Sequence, residues 1–136
     1  MVRQTGDLLR EIFTQEGQAG DFLGHVAGDD FVFVTSTQTV DRICQQTIEA
    51  FDRIIPLYYD RADRERGYIE GEDRFGEKRK FPVMSVSIVA VMSDGKSTDH
   101  ADLARLAADL KKRAKAVVGS VYLRSDRLEP TKAESA

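Results

Sequence analysis

The sequence predicts a single α+β domain. Two kinds of pattern alternate along the chain: stretches whose apolar residues recur at helical spacing, and short β-branched or aromatic runs bounded by Gly, Asp or Pro. The turn signal Gly28-Asp29 separates two such runs and predicts a β-hairpin within Asp21 to Thr35. At 136 residues the chain can form one hydrophobic core, and nothing in it marks a second domain.

An amphipathic helix is predicted first, over about residues 6 to 15. Asp7 is expected in its first turn, where a carboxylate complements the helix dipole and can cap a backbone donor. In the hairpin that follows, residues 31 to 34 form an apolar run without a breaker. This run predicts a strand that is buried on both faces.

A second amphipathic helix is predicted after the hairpin, with Thr37 or Thr39 as its cap and Pro56 at its end. Cys44 lies beside the apolar face of this helix, which predicts a buried and unreactive thiol. Residues 58 to 80 carry many charges of both signs and predict a solvated β-hairpin inserted into the domain. The alternative for this insertion is a docking surface anchored by its aromatic side chains.

The remaining elements follow the same logic. Pro82 to Met92 predicts a central strand, and residues 93 to 95 predict a turn. Ser97 or Thr98 is expected to cap a long helix that runs to about Lys115. The last elements expected are a short strand at residues 121 to 123, which closes the domain at about residue 127, and a disordered tail from 128 to 136.

Charge and composition exclude several classes of protein. The net charge of −3 argues against a nucleic-acid-binding or membrane-surface protein, which normally shows an excess of basic residues. No apolar run approaches the roughly 20 residues that span a bilayer, and the first residues form no signal peptide. A single cysteine suits a reducing compartment. We therefore expect a cytoplasmic protein.

The two adjacent carboxylates of the hairpin turn exceed what a turn requires. Asp29 and Asp30 together can supply oxygen ligands to a hard cation such as Mg²⁺. Gly28 has no side chain, so a phosphate could approach the backbone N–H groups there. A tight polar turn without a ligand is the alternative, and turn chemistry alone explains most of this pattern.

The segment DFLGHVAGDDFVFVT resembles the signature hairpin of the GGDEF family, the diguanylate cyclase domains. Further similarity lies on both sides of it, in GDLLRE at residues 6 to 11, in FPVMSVSI at residues 81 to 88, and in Ala114-Lys115. The resemblance covers most of residues 6 to 127. It implies a ferredoxin-like, nucleotide-cyclase-type fold, in which helices cover a sheet rich in antiparallel strands.

The resemblance also implies a role for each matching residue. Asp29 would bind the metal, and Asp30 would act catalytically near the metal or the attacking hydroxyl. Asp7 would recognise guanine, Gly28 would line the path of the phosphates, and Lys115 would pair with them. The implied ligands are GTP or cyclic di-GMP together with Mg²⁺.

The chain departs from the family pattern at several positions. Ala27 replaces a glycine of the motif, Asp30 is shorter than the usual glutamate, and the arginine expected near Ser120 is absent. In the inhibitory product site Asp21 is kept, but Gln18 stands where the family has arginine, so no bidentate guanidinium is available.

The front strand of the family, which carries the first metal-binding Asp, has no counterpart in this chain. Its absence should leave backbone groups unpaired and part of the core uncovered. We therefore expect a domain truncated at its front that compensates by forming a homodimer.

Two functions follow from these observations. The first is a degenerate GGDEF-like module of cyclic di-GMP signalling, without cyclase activity, which senses a nucleotide or binds a signalling protein. The alternative is an active diguanylate cyclase that condenses two GTP molecules with Mg²⁺. The first is preferred because losing even one positioning group can lower a rate by orders of magnitude.

Overall fold

The computed structural model describes residues 2–93 and 99–127. Within these ranges five α-helical or 3₁₀ segments and six strands alternate along the chain. In order they are α1 (Val2–Glu16), β1 (Phe22–Ala27), β2 (Asp30–Val34), α2 (Val40–Ile54), a 3₁₀ turn (Ile55–Tyr58), α3 (Arg61–Arg66), β3 (Tyr68–Glu72), β4 (Lys78–Pro82), β5 (Ser87–Ala90), α4 (His100–Lys115) and β6 (Val121–Arg124). The predicted α+β class is confirmed.

The strands of the described ranges form three separate pairs. β1 with β2 and β3 with β4 are antiparallel, whereas β5 with β6 is parallel. A parallel pair needs a long crossover, and α4 supplies it between β5 and β6. The cyclase-type order of one continuous sheet remains a prediction.

The core lies on the two faces of the β5–β6 pair. Ile88 and Tyr122 point towards α2 and pack in one cluster with its apolar side chains Val40, Cys44 and Ile48. Val121 and Leu123 point the other way and pack against Leu110 and Ala114 of α4. Because successive strand residues face opposite sides, four residues of β6 serve both helices, and all four are buried.

Helix α1 and the β1–β2 hairpin pack against each other through aromatic side chains. Phe13 of α1 meets Phe33 of β2 edge to face, with ring centroids 5.4 Å apart. Gly6 lies where the ring of Phe31 approaches the helix, and a Cβ at Gly6 would be 3.4 Å from that ring. The opposite side of β2 is open, since Val34 is 60% exposed. The prediction that β2 is buried on both faces is therefore wrong.

The first helix begins earlier than predicted, at Val2, because residues 2 to 5 contain no helix breaker. Asp7 consequently lies in the second turn, and the first turn of α1 has no acidic residue. The predicted capping role of Asp7 is therefore wrong. The second helix agrees well with the prediction: Thr39 occupies its N-cap position, although its hydroxyl makes no capping hydrogen bond.

The charged insertion contains the predicted hairpin, β3–β4, and also a short helix that was not predicted. Asp60 caps α3 by accepting a hydrogen bond from the backbone of Asp63 at 2.8 Å, and Gly67 ends it with a positive φ. Asp73 closes the hairpin turn, where its Oδ1 accepts from the backbone N–H groups of Phe75 and Glu77. The short helix and the hairpin turn of this insertion are thus each fixed by local hydrogen bonds.

The predicted central strand is shorter than expected. Pro82 belongs to β4, and β5 begins only at Ser87. Asp99 caps α4 by accepting from the backbone of Ala101 at 2.9 Å. The predicted caps Ser97 and Thr98 lie outside the described residues.

Residues 94 to 98, with the rest of that predicted turn, and residues 128 to 136, predicted as a tail, lie outside the described residues. In the part of the chain that the structure describes, no helix is long and apolar enough to cross a membrane.

Candidate functional site

A cleft of about 470 Å³ lies where the β1–β2 turn, the start of β5 and the end of α4 come together. Asp29 and Asp30 contribute carboxylates from the turn, and Lys111 and Lys115 contribute ammonium groups from α4. Phe51 of α2 adds an apolar surface. The volume falls within the range of small-molecule sites, roughly 300 to 1,000 Å³. Three of the predicted site residues, Asp29, Asp30 and Lys115, therefore line one cavity.

The hairpin turn presents these carboxylates through the backbone conformation of Gly28. Ala27 pairs with Asp30, so Gly28 and Asp29 form a two-residue turn. Gly28 has a φ of 56°, a left-handed conformation that glycine adopts without steric penalty. The geometry accounts for Gly28 as a turn residue, and Gly28 itself does not line the cleft.

His25 holds the turn in place, a role that the sequence did not predict. Its Nε2 lies 2.8 Å from the carbonyl oxygen of Gly28, and its ring stacks on Phe31 with centroids 4.7 Å apart. A protonated Nε2 donates this hydrogen bond. The only signal in the sequence is the spacing of three residues between His25 and Gly28, which is too common to identify such a contact.

The two lysines of the cleft lie four residues apart on α4 and so share one face of the helix. Lys111 Nζ is 3.3 Å from Asp30 Oδ1, which joins α4 to the hairpin. Lys115 makes no ion pair within residues 2–93 and 99–127, and its side chain is exposed at the cleft. Lys115 is therefore the cation left to meet an anionic ligand, whereas Lys111 already neutralises part of the charge of Asp30.

Asp7 lies away from this cleft. Its exposed carboxylate is 3.7 Å from Arg10 on the same helix, and the α1 residues that line the cleft are Val2 and Thr5. The structure thus does not bring Asp7 together with Asp29, Asp30 and Lys115.

Asp21 of the predicted product site makes internal hydrogen bonds. Its Oδ2 accepts from the backbone of Gln18 at 2.8 Å and from the hydroxyl of Thr35 at 2.9 Å. These bonds tie the turn before β1 to the residue that follows β2. The geometry explains Asp21 as a structural residue, and Gln18 contributes its backbone to the same turn.

The cleft suits Mg²⁺ only in company with a ligand that supplies further oxygens. Within the described ranges no three His, Cys, Asp or Glu side chains cluster as a metal site. Asp29 and Asp30 offer two adjacent carboxylates, and Mg²⁺ is commonly held by one or two carboxylates together with substrate phosphates and waters. The residues present therefore fit a Mg²⁺ ion that is delivered with a nucleoside triphosphate.

A second polar cluster, which the sequence did not reveal, joins α2 to β6. Asp41 accepts hydrogen bonds from the hydroxyl of Tyr122 and from the guanidinium groups of Arg124 and Arg127, each at 2.9 Å. Arg124 also makes two hydrogen bonds to Asp126, at 2.9 and 2.8 Å. Partners separated by some eighty residues leave no local signal in a sequence.

Burial and this polar cluster shift several pKa values. Burial raises the pKa of Asp41, but the hydrogen bonds from Arg124, Tyr122 and Arg127 outweigh it and hold the pKa below its usual value. Burial raises the pKa of the Cys44 thiol to about 12. A thiol with so high a pKa forms little thiolate, so the unreactive Cys44 expected from the sequence agrees with this environment.

Ser120, the residue near which the family arginine is expected, has a structural role. Its hydroxyl donates to Asp52 at 2.5 Å and accepts from the backbone N–H of Val86 at 3.0 Å. One side chain thus connects the end of α2 with the beginnings of β5 and β6.

Comparisons of this chain with protein-family models, curated proteins and solved structures give no match.

Proposed function

We propose that this domain is a degenerate GGDEF-like regulatory module that binds GTP with Mg²⁺ in the cleft and does not convert it to cyclic di-GMP. The observation that carries the proposal is the meeting of Asp29, Asp30 and Lys115 in one cavity of about 470 Å³. These residues come from two elements that are far apart in sequence. The proximity of Lys115 to the two motif residues supports the proposal beyond the sequence match alone.

The chemistry of the cleft matches the parts of a nucleotide. Lys115 is available to pair with phosphate oxygens, and the two carboxylates can share Mg²⁺ with those oxygens. Phe31 and Phe51 provide apolar surface for the base. In a GTP–Mg²⁺ complex the metal would therefore balance the charge of Asp29 and Asp30, and the phosphates would balance the charge of Lys115.

The ion pair of Asp30 supports binding without turnover. Lys111 Nζ lies 3.3 Å from Asp30 Oδ1, and this ion pair would have to open before the carboxylate could assist an attacking hydroxyl. The altered residues of the motif point the same way, since Ala27 replaces a glycine beside the turn. The alternative, an active cyclase, is distinguished from this module by whether the protein converts GTP to cyclic di-GMP.

The test is calorimetric titration of the purified protein with GTP and with cyclic di-GMP, each with and without Mg²⁺. We expect GTP to bind only with Mg²⁺ and the protein to form no cyclic di-GMP from it. Formation of cyclic di-GMP would establish the cyclase alternative. Failure of GTP to bind under any condition would contradict the nucleotide proposal.

Matched variants locate the site. Lys115→Ala should weaken GTP binding by about tenfold, as expected for the loss of one charge-assisted contact worth roughly 1.4 kcal/mol. Lys112→Ala is the control, because this exposed lysine lies on the same helix and does not line the cleft. Asp29→Ala should abolish the Mg²⁺-dependent binding of GTP, because it removes a carboxylate ligand of the metal. Equal effects of the two lysine variants would argue against the cleft as the site.

We also propose that the module acts in the cytoplasm as a homodimer. The open face of the β1–β2 hairpin supports association, since it presents the apolar side chains of Phe22, Val26, Val32 and Val34 to solvent. The β3–β4 insertion, with Phe75 at its exposed tip, is the surface offered to a signalling partner. Light scattering over a dilution series checks the dimer, and a mass equal to one chain at every concentration would contradict it.

A further inference from the structure

Two of the strand pairs lie against the same helix without joining each other. Phe33 of β2 and Ile88 of β5 both pack into the cluster built on α2. Within the described ranges β2 pairs with β1 alone and β5 pairs with β6 alone. Each of the two therefore has an open edge.

The backbone of β5 shows which of its groups face the open edge. The carbonyl oxygens of Val86 and Ala90 accept hydrogen bonds from Val121 and Ser125, so these positions face β6. Because hydrogen-bonding groups alternate along a strand, the N–H and C=O groups of Ser87 and Val89 face the opposite edge. No backbone hydrogen bond from that edge to another strand occurs in the described part of the chain.

The cleft occupies the space beside these edges. Its walls include Asp30 and Phe31 of β2 on one side and residues 84 to 87, which lead into β5, on the other. Phe51 of α2 and Lys115 of α4 also line it. A space bounded by two strand edges and two helices has the surroundings of an inner strand of a sheet covered on both faces.

We propose that this cleft binds an extended segment of a partner polypeptide, which adds to the edge of β5 as a strand. Main-chain groups of the segment would pair with Ser87 and Val89, the mode of recognition known as β-augmentation. Successive side chains of a strand point to opposite faces, so one set meets the apolar floor at Phe51 and the other meets Lys115. The preferred segment alternates apolar with polar residues and places an acidic residue beside Lys115, away from Asp29.

The inference is independent of the nucleotide proposal, because it rests on strand edges and not on the carboxylates of the turn. The two ligands share Lys115, and they should therefore compete. Failure of the peptide to bind leaves the GTP titration unaffected, and failure of GTP to bind leaves the open strand edge in place. The two proposals can thus fail separately.

The test follows amide hydrogen exchange by NMR on the whole chain, with the acetylated and amidated hexapeptide Glu-Val-Glu-Val-Glu-Val as probe at millimolar concentration. We expect exchange at Ser87 and Val89 to slow by about tenfold or more, as for amides newly engaged in a ladder. The peptides Lys-Val-Lys-Val-Lys-Val and Glu-Val-Glu-Pro-Glu-Val are controls for charge and for strand pairing, and both should protect these amides less.

A pair of substitutions at one exposed position distinguishes strand pairing from other contacts. Ser87→Pro removes the N–H that faces the cleft and should abolish peptide binding, whereas Ser87→Ala keeps this donor and should bind as the unchanged protein does. Unaltered exchange at Ser87 and Val89 with saturating peptide would overturn the proposal, and that measurement needs no variant. Protection that rises with protein concentration without peptide would also overturn it, in favour of a second copy of this chain.

Discussion

The β1–β2 hairpin and the β5–β6 pair are both two-stranded, yet they differ in how they are held. All four residues of β6 are buried between α2 and α4, and side chains of Tyr122 and Arg124 are fixed by Asp41. The hairpin is covered on one side only, and Val34 at its far end is 60% exposed. The β5–β6 pair is thus the more stable region, whereas the cleft carboxylates Asp29 and Asp30 lie on the less constrained hairpin.

The largest loss of stability is expected from removing the aromatic ring at the centre of the buried β5–β6 pair. Tyr122→Ala deletes a side chain that is 2% exposed and packs against α2, and it should lower the free energy of unfolding by about 4 kcal/mol. Tyr122→Phe keeps the ring and loses only the hydrogen bond to Asp41, for which we expect about 1 kcal/mol. Urea denaturation measures both, and equal losses would show that the hydroxyl matters and the packing does not.

A smaller effect is expected from the charge at the edge of the same region. Asp41→Asn leaves Arg124 short of one charged partner and should cost about 2 kcal/mol at neutral pH. Because the folded pKa of Asp41 lies below its ordinary value of 3.8, its contribution is fully present above that pH and is lost as the pH falls through the lower, folded value.

Acid titration of stability checks the origin of this effect. The unfolding free energy of the unchanged protein should fall on acidification below about pH 4, and the fall should be shallower in Asp41→Asn. Urea midpoints measured between about pH 2 and pH 7 provide the comparison. Identical pH profiles for the two proteins would mean that Asp41 has no depressed pKa in the folded state.

The smallest effect is expected in the hairpin. Gly28→Ala places a Cβ on a residue with φ of 56°, which should cost about 1 kcal/mol even though the space around it is open. Gly28→Asn should cost less, because asparagine tolerates the left-handed conformation. Thermal unfolding of the two variants measures the difference. If both are as stable as the unchanged protein, the turn adopts another conformation.

Local patterns in the sequence were sufficient for the elements that depend on local chemistry. The hairpin around Gly28, the second helix ending before Pro56, and the buried thiol of Cys44 are confirmed. Helix α3 was missed because all of its residues except Ala62 are charged, although Asp60 and Gly67 carried the signals of a cap and a stop.

Contacts between distant residues could not be predicted in the same way. The ion pair of Asp30 with Lys111 spans 81 positions, and no pattern in either segment selects the other. The resemblance anticipated that Lys115 would serve the same site as Asp29, and both do line one cleft. Asp7 lies on α1 but does not line the cleft, and the pattern of the helix alone does not show which of its residues will face another element.

The position of β6 along the chain has a consequence for folding during biosynthesis. β6 leaves the ribosome after every other described element, yet it supplies the buried residues that both α2 and α4 need. Until it emerges, the apolar faces of α2 and α4 lack the β6 side chains that pack against them. The nascent chain therefore cannot complete this core before β6 has emerged, and apolar surface exposed during that interval favours aggregation.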